Sequence, residues 1–169
     1  MTKPALFVVD LQQGPLRTEP RLARLAEEVA TFVRARRDEY SVVIASGFYN
    51  EPGSTYDRLV GGDDLRDPGD VAIAADVEQV ADLVVTSATY SSLTPRAHQA
   101  LVEAEVREVH VVGIDTDQCV LATVFALFDA GYEPRVLEDL VASASGATCH
   151  EAGLVALRRA IGDHRVAPA

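Results

Sequence analysis

Apolar and polar positions alternate along the chain in two distinct rhythms. Short apolar runs come first. They include Ala5-Leu6-Phe7-Val8-Val9, Ser41-Val42-Val43-Ile44-Ala45, the Leu83-Val84-Val85 centre of 82–86, Val109 to Ile114 (broken by His110) and Arg135-Val136-Leu137. Continuous apolar runs of this length mark strands buried on both faces. Between them lie stretches with helical spacing. Leu22, Leu25, Val29, Phe32 and Val33 define a helix over 20–37, with its arginines and glutamates on a solvated face. Thr94-Pro95 opens another, with Thr as N-cap and Pro at the first helical position, and Ala97, Leu101 and Val102 on its apolar side. A third runs from Cys119 to Ala130 and stops at Gly131; a fourth runs from Ala147 to Ile161 and stops at Gly162. Arg165-Val166-Ala167 adds a short edge strand. Strands alternating with helices imply an α/β fold, a three-layer αβα sandwich around a mostly parallel sheet of about six strands.

One stretch resists this reading. Residues 46–80 have no strong periodicity and carry the turn clusters Asn50-Glu51-Pro52-Gly53-Ser54, Gly61-Gly62-Asp63-Asp64 and Asp67-Pro68-Gly69-Asp70. Long excursions inside compact domains serve as lids or pocket walls, or are simple insertions. Periodicity does not separate the two.

The length of 169 residues predicts one domain, spanning 1–169, with a substantial core. The 26 acidic and 15 basic residues give a net charge of −11, which argues against nucleic acid or an anionic membrane as partner. Met1-Thr2-Lys3-Pro4 lacks a signal pattern and Ala5 to Val9 is too short to span a bilayer, so a cytoplasmic protein is expected. The two cysteines, Cys119 and Cys149, form no disulfide framework and no metal-binding spacing. Cys149 reads as a packed small residue. No dinucleotide, P-loop or GxSxG motif is present.

Two positions carry chemistry. Cys119 lies in Gly113-Ile114-Asp115-Thr116-Asp117-Gln118-Cys119-Val120, at a strand-to-helix turn where free N–H groups and the helix dipole favour a thiolate. The other reading of Cys119 is a small buried hydrophobe. Asp10 ends the first strand, at the sheet edge where open α/β folds bind ligands. Asp10 equally suits the start of a turn.

These residues resemble a known family. Val8-Val9-Asp10-Leu11-Gln12 is similar to the opening motif of the isochorismatase-like cysteine hydrolases, and Gly113 to Val120 is similar to that family's nucleophile turn. Asp129-Ala130-Gly131-Tyr132, Asp139 to Ser143 and Asp82 to Leu93 extend the resemblance over nearly the whole chain. The family includes nicotinamidases, N-carbamoylsarcosine amidases and isochorismatases. The resemblance implies a sheet whose first and fourth strands are neighbours, so that Asp10 and Cys119 meet. It implies Cys119 as nucleophile and Asp10 as proton acceptor. It also implies an oxyanion hole from the N–H groups of Asp115 and Cys119, with a cis peptide between Ile114 and Asp115. The implied activity is hydrolysis of a small amide or related C–N bond through a thioester, on a small-molecule substrate, in a homo-oligomer.

Two departures modify that expectation. The family places a catalytic lysine just after the third strand; aligning Tyr90-Ser91-Ser92-Leu93 on the motif puts Ser87 there. Lys3 is the only lysine in the chain, and seven extended residues, about 23 Å, separate it from Asp10. Asp10 beside Cys119 opposes thiolate formation, and a serine hydroxyl supplies no charge to offset it. Arg58 and Arg96 are candidate surrogate cations. Secondly, nicotinamidases carry an Asp/His cluster after the second strand, where this chain reads Gly47-Phe48-Tyr49-Asn50-Glu51. No metal and no cofactor is expected, and nicotinamide becomes an unfavoured substrate. The histidines, His98, His110, His150 and His164, read as helix-surface or core residues. Gln12, Phe48, Asn50, Tyr56, Arg58 and Tyr90 are the candidate pocket residues. A pseudoenzyme that binds without turnover, and an isochorismatase-type ether hydrolase, are the alternative readings.

Overall fold

The computed structural model describes residues 2–169. Six strands form one sheet: β1 (Ala5–Val9), β2 (Val43–Phe48), β3 (Leu83–Ser87), β4 (Glu108–Ile114), β5 (Glu133–Ala142) and β6 (Val166–Ala167). Their order is β3-β2-β1-β4-β5-β6, and every neighbouring pair is parallel. The chain lays β2 and β3 on one side of β1, then crosses to lay β4, β5 and β6 on the other. The direction therefore reverses at β1 and β4, and the carboxyl ends of those two strands flank the crevice where such sheets bind ligands.

Every residue of β1 is buried, because its alternate side chains serve opposite layers. Leu6 and Val8 pack with Leu22, Leu25, Val29 and Val33 of α2 (Pro20–Arg36). Phe7 and Val9 pack on the other face with Leu101 of α6 (Pro95–Glu103), Val124 of α7 (Cys119–Asp129) and Leu157 of α8 (Ala147–Ile161). The predicted caps are present: the Thr94 side chain accepts the Ala97 N–H at 3.2 Å, and Gly131 and Gly162 follow α7 and α8 at φ 89° and 94°.

The structure differs from the periodic pattern in four places. Helix α1 (Gln13–Thr18) forms where a turn was expected, with Pro15 in its first turn, where a missing N–H is harmless. The excursion holds three short helices, α3 (Thr55–Leu59), α4 (Pro68–Val71) and α5 (Ala75–Glu78). The second strand continues through Ser46 and Gly47 to Phe48, because their backbones pair with Val85, Thr86 and Ser87 of β3. The fifth strand runs the length of Glu133–Ala142 past Glu138 and Asp139; its register on β4 shifts between Val111 and Gly113, and Glu138 is paired with Arg158 of α8.

Candidate active site

Asp10 follows the last residue of β1 and takes a left-handed backbone conformation, φ 52°, which aspartate tolerates better than most residues. Its N–H reaches across to β2, donating to the Ser46 carbonyl at 3.1 Å and the Ser46 hydroxyl oxygen at 3.3 Å. The Ser46 hydroxyl donates back to Asp10 Oδ1 at 2.8 Å. Ser46 has a single hydroxyl proton. Its 2.8 Å contact with the Ser92 hydroxyl therefore has Ser92 as donor whenever Asp10 is ionised. Ser92 is itself tied to α7, its N–H donating to Thr123 Oγ1 at 3.0 Å. All four side chains are buried. The result is a directed chain of hydroxyls, Ser92 to Ser46 to Asp10, that ends on the carboxylate.

The Asp10 carboxyl is pushed up to about 6, chiefly by burial; the adjoining Cys119 thiol and the Ser46 hydroxyl oppose the shift, and the Asp115 charge adds to it. Removing a hydroxyl donor should raise it further. Ser46→Ala is expected to move the Asp10 titration upward by about one pH unit, the worth of a hydrogen bond to a charged group. Carboxyl carbon-13 chemical shifts followed against pH read this directly; an unmoved or lowered midpoint would remove Ser46 from the network.

Cys119 is the first residue of α7, and its thiol lies close enough to Asp10 for each to shift the other's titration. Burial, then the Asp10 charge and hydrogen bond, then the Asp115 charge, hold the thiol well above its usual range. The Asp115 backbone N–H works the other way. The helix-terminal position predicted a thiolate; here desolvation and two carboxylates outweigh it. The Ile114–Asp115 peptide bond is cis, as the resemblance implied. The Cys119 N–H, at the start of the helix, has no intrahelical acceptor.

The turn between β4 and α7 is clamped from two sides. Its backbone closes on Asp115, whose carbonyl accepts the N–H groups of Gln118 and Val120, each at 3.0 Å. The end of β5 holds Thr116 through its N–H to the Ala142 carbonyl, 3.0 Å, and Asp115 Oδ1 accepts the Ala144 N–H at 2.6 Å. From α8, His150 Nδ1 lies 2.8 Å from Thr116 Oγ1. Gly153 sits so close that a Cβ there would fall 2.8 Å from backbone atoms of Thr116 and Asp117.

Above the pair opens a small cleft. Asp10, Cys119, Ile114 and Asp115 border it, with Gln12, Phe48, Tyr56, Tyr90 and Gln118 around them and Pro15 and Leu65 at the rim. Asp10 and Cys119 follow the carboxyl ends of β1 and β4, which pair from Ala5 on Val109 to Val9 on Gly113. The isochorismatase domain family matches residues 4–166. This chain belongs to the isochorismatase family. Solved structures share its fold. Nicotinamidase PncA from Bacillus subtilis superposes with a TM-score of 0.82 at 19% identity, covering 99% of each chain. N-carbamoylsarcosine amidase from Thermoplasma acidophilum superposes at 0.81 with 20% identity, covering 98% of this chain and 94% of the other. Isochorismatase domain-containing protein 2 of Xenopus laevis is 25% identical over 142 residues, 83% of this chain; the chain spans 60% of that relative's length.

Several residues of this isochorismatase-family chain occupy other places than expected. Gln12 edges the cleft, but its amide is committed to the scaffold, donating to the carbonyls of Phe48 and Val71 at 2.9 Å each and accepting the Phe48 N–H at 2.8 Å. Asn50 is fully buried and holds the excursion, donating to the carbonyls of Gly62 and Asp64; it does not line the cleft. Arg58 is exposed and turned back onto the Gly53 carbonyl and Thr55, and Arg96 is exposed on α6. Neither lines the cleft. Ser87 ends β3, and its hydroxyl organises the following loop, contacting the Thr89 and Ser91 carbonyls at 3.0 and 2.9 Å; it is not in the cleft wall. Ser46 and Ser92 were not among the expected site residues. Among the described residues, no group of three or more His, Cys, Asp or Glu side chains is placed to hold a metal ion.

Proposed function

We propose that the chain hydrolyses the C–N bond of a small amide through a thioester on Cys119. One observation carries the reading: the Asp10 carboxyl and the Cys119 thiol border one cleft at the carboxyl ends of the paired strands β1 and β4, close enough for each to shift the other's titration. Asp10 takes the thiol proton as the sulfur attacks the carbonyl carbon. The N–H groups of Asp115 and Cys119 hold the oxyanion, each donor worth about 3 kcal/mol in comparable sites. The intermediate collapses, the C–N bond breaks, and the amine leaves with the proton from Asp10. Water, deprotonated by Asp10, then releases the acid.

Ser87 stands at the family's lysine position without its charge, and the hydroxyls of Ser46 and Ser92 support Asp10 in its basic form instead. Burial and the neighbouring carboxyl disfavour a standing thiolate, so proton transfer to Asp10 accompanies attack. The same observation favours a second reading, a cleft that binds a small molecule without turnover. No Lys or Arg is among the residues that line the cleft.

Two measurements separate these readings. With Cys149 replaced by Ala, intact-protein mass spectrometry on incubation with short amides is expected to show one acyl group on Cys119, with ammonia released. Because Asp10 must be ionised to act, kcat/KM is expected to fall as pH drops through about 6. Binding with neither adduct nor ammonia across an amide panel would leave the binding reading in place.

A further inference from the structure

A second groove runs beside the cleft and shares a wall with it. Phe48, Tyr56 and Tyr90 border both. Their rings form a continuous ridge, with centroids 4.8 Å apart for Phe48 and Tyr56 and 6.0 Å apart for Tyr56 and Tyr90. Beyond the ridge the groove is completed by Leu59, Val60 and the 88–89 segment, and none of its lining residues is charged. Leu59 and Val60 are 80% and 58% exposed. Large apolar side chains held in water beside a reacting site call for a partner. They are held firmly: the Ser54 side chain caps α3 by accepting the Asp57 N–H, and Asp57 is paired with Arg66.

The charge around the site narrows what fits. Asp10 and Asp115 line the cleft, while no Lys, Arg or His lines either the cleft or the groove. A carboxylate on the substrate would meet two acidic groups and no counter-charge. An apolar chain, by contrast, would meet no charged residue along the aromatic ridge or in the groove beyond it.

We propose that the groove receives the apolar acyl chain of an uncharged amide, so that the substrate class is medium-chain aliphatic or arylalkyl amides. This rests on the hydrolase reading above. The acyl carbon forms its bond to Cys119 Sγ, the C–N bond breaks, and the nitrogen leaves as ammonia or amine with the proton delivered by Asp10. A second copy of the chain is the competing occupant. The three aromatic rings that the groove shares with the cleft favour the substrate, since a dimer contact needs no such shared wall.

The test compares acetamide, hexanamide and adipamate, the last being hexanamide with its terminal methyl replaced by a carboxylate. Burying the extra methylenes should raise kcat/KM for hexanamide about 10- to 100-fold over acetamide. The anionic end should lower adipamate about tenfold or more below hexanamide. Leu59→Ser/Val60→Ser alters exposed side chains, so it should fold, and it should compress the hexanamide-to-acetamide ratio about tenfold. Calorimetric binding of the same amides to Cys119→Ala supplies a readout independent of turnover. Ammonia release with acetamide equal to hexanamide, with adipamate preferred, or with the ratio unchanged in the double variant overturns the groove and leaves the hydrolase intact. So does a changed sedimentation coefficient in that variant with the chain-length preference preserved, which would make the face a protein interface. Binding to Cys119→Ala that follows the expected order, with no ammonia from the unmodified protein, overturns the hydrolase and keeps the groove.

Discussion

Asp10→Asn is expected to lower amide turnover about a thousandfold while making Cys119 more reactive toward iodoacetamide at pH 8. The two effects have one origin. Asparagine keeps the shape and the left-handed backbone tolerance of aspartate, and its amide oxygen still accepts the Ser46 hydroxyl. It cannot take up the thiol proton, so the step in which sulfur attacks loses its base. The same substitution removes the Asp10 charge, which after burial is the largest influence holding the thiol high. The Cys119 titration should therefore move down toward the ordinary thiol range, and the alkylated fraction at fixed pH should rise. A purely structural role for Asp10 predicts both rates changing together as the site loosens. Turnover within tenfold of the unmodified protein would remove Asp10 as the base; alkylation that slows alongside turnover would point to a disturbed fold. The measurement pairs stopped-time alkylation, in the Cys149→Ala background, with ammonia release.

How much of this was legible in the sequence depends on how local each signal is. The apolar run of β1, the Thr94-Pro95 start of α6 and the Gly131 and Gly162 stops are properties of a few adjacent residues, and the structure keeps all of them. The Cys119 turn was equally local. The helices of the excursion were not. Each has five residues or fewer, too short for a periodic window, and tertiary bonds hold them: Asp57 to Arg66 near α3, and the Gln12 amide to the Val71 carbonyl of α4. Strand β5 carries Glu138 and Asp139 through its middle, which breaks the apolar pattern, yet its backbone still pairs with β4 on both sides of a register shift.

The site shows the same division. Asp10 and Cys119 stand in local motifs, and the structure brings the two to one cleft. Ser46 and Ser92 are ordinary serines whose role arises only when β2 and the loop after β3 bring them to Asp10 from 36 and 82 positions away in the chain. Asn50 and Arg58 follow β2 at its carboxyl end, where a pocket residue belongs, but their side chains serve the excursion's own backbone. Position along a strand predicts which end a residue reaches; it does not say which way a loop turns afterwards.

Gly113→Ala should cost about 4 kcal/mol or more, enough to lower the melting temperature by roughly 10 °C or leave the protein insoluble. Two independent terms contribute. The backbone at Gly113 has φ 116°, a conformation that side-chain-bearing residues rarely adopt. A Cβ placed there would also lie 2.1 Å from the Val9 carbonyl oxygen and 2.8 Å from the Val9 nitrogen. Both are backbone atoms of a central strand, so no rotamer change relieves the overlap. Gly131→Ala separates the terms. Gly131 has a comparable φ of 89° but nothing within 4 Å of a built Cβ, so that variant carries conformational strain alone and should cost only about 1 to 2 kcal/mol. The difference between the variants measures the overlap between β4 and β1. That overlap bears on chemistry, because Val9 immediately precedes Asp10 and Gly113 lies six residues before Cys119. The glycine that reads in the sequence as part of a nucleophile motif therefore acts by letting two strands approach until their ends bring a carboxyl against a thiol. Equal stability losses in the two variants would mean that β1 gives way to the added methyl. Contact between Asp10 and Cys119 would then be held by the hydroxyl network and the clamped turn instead.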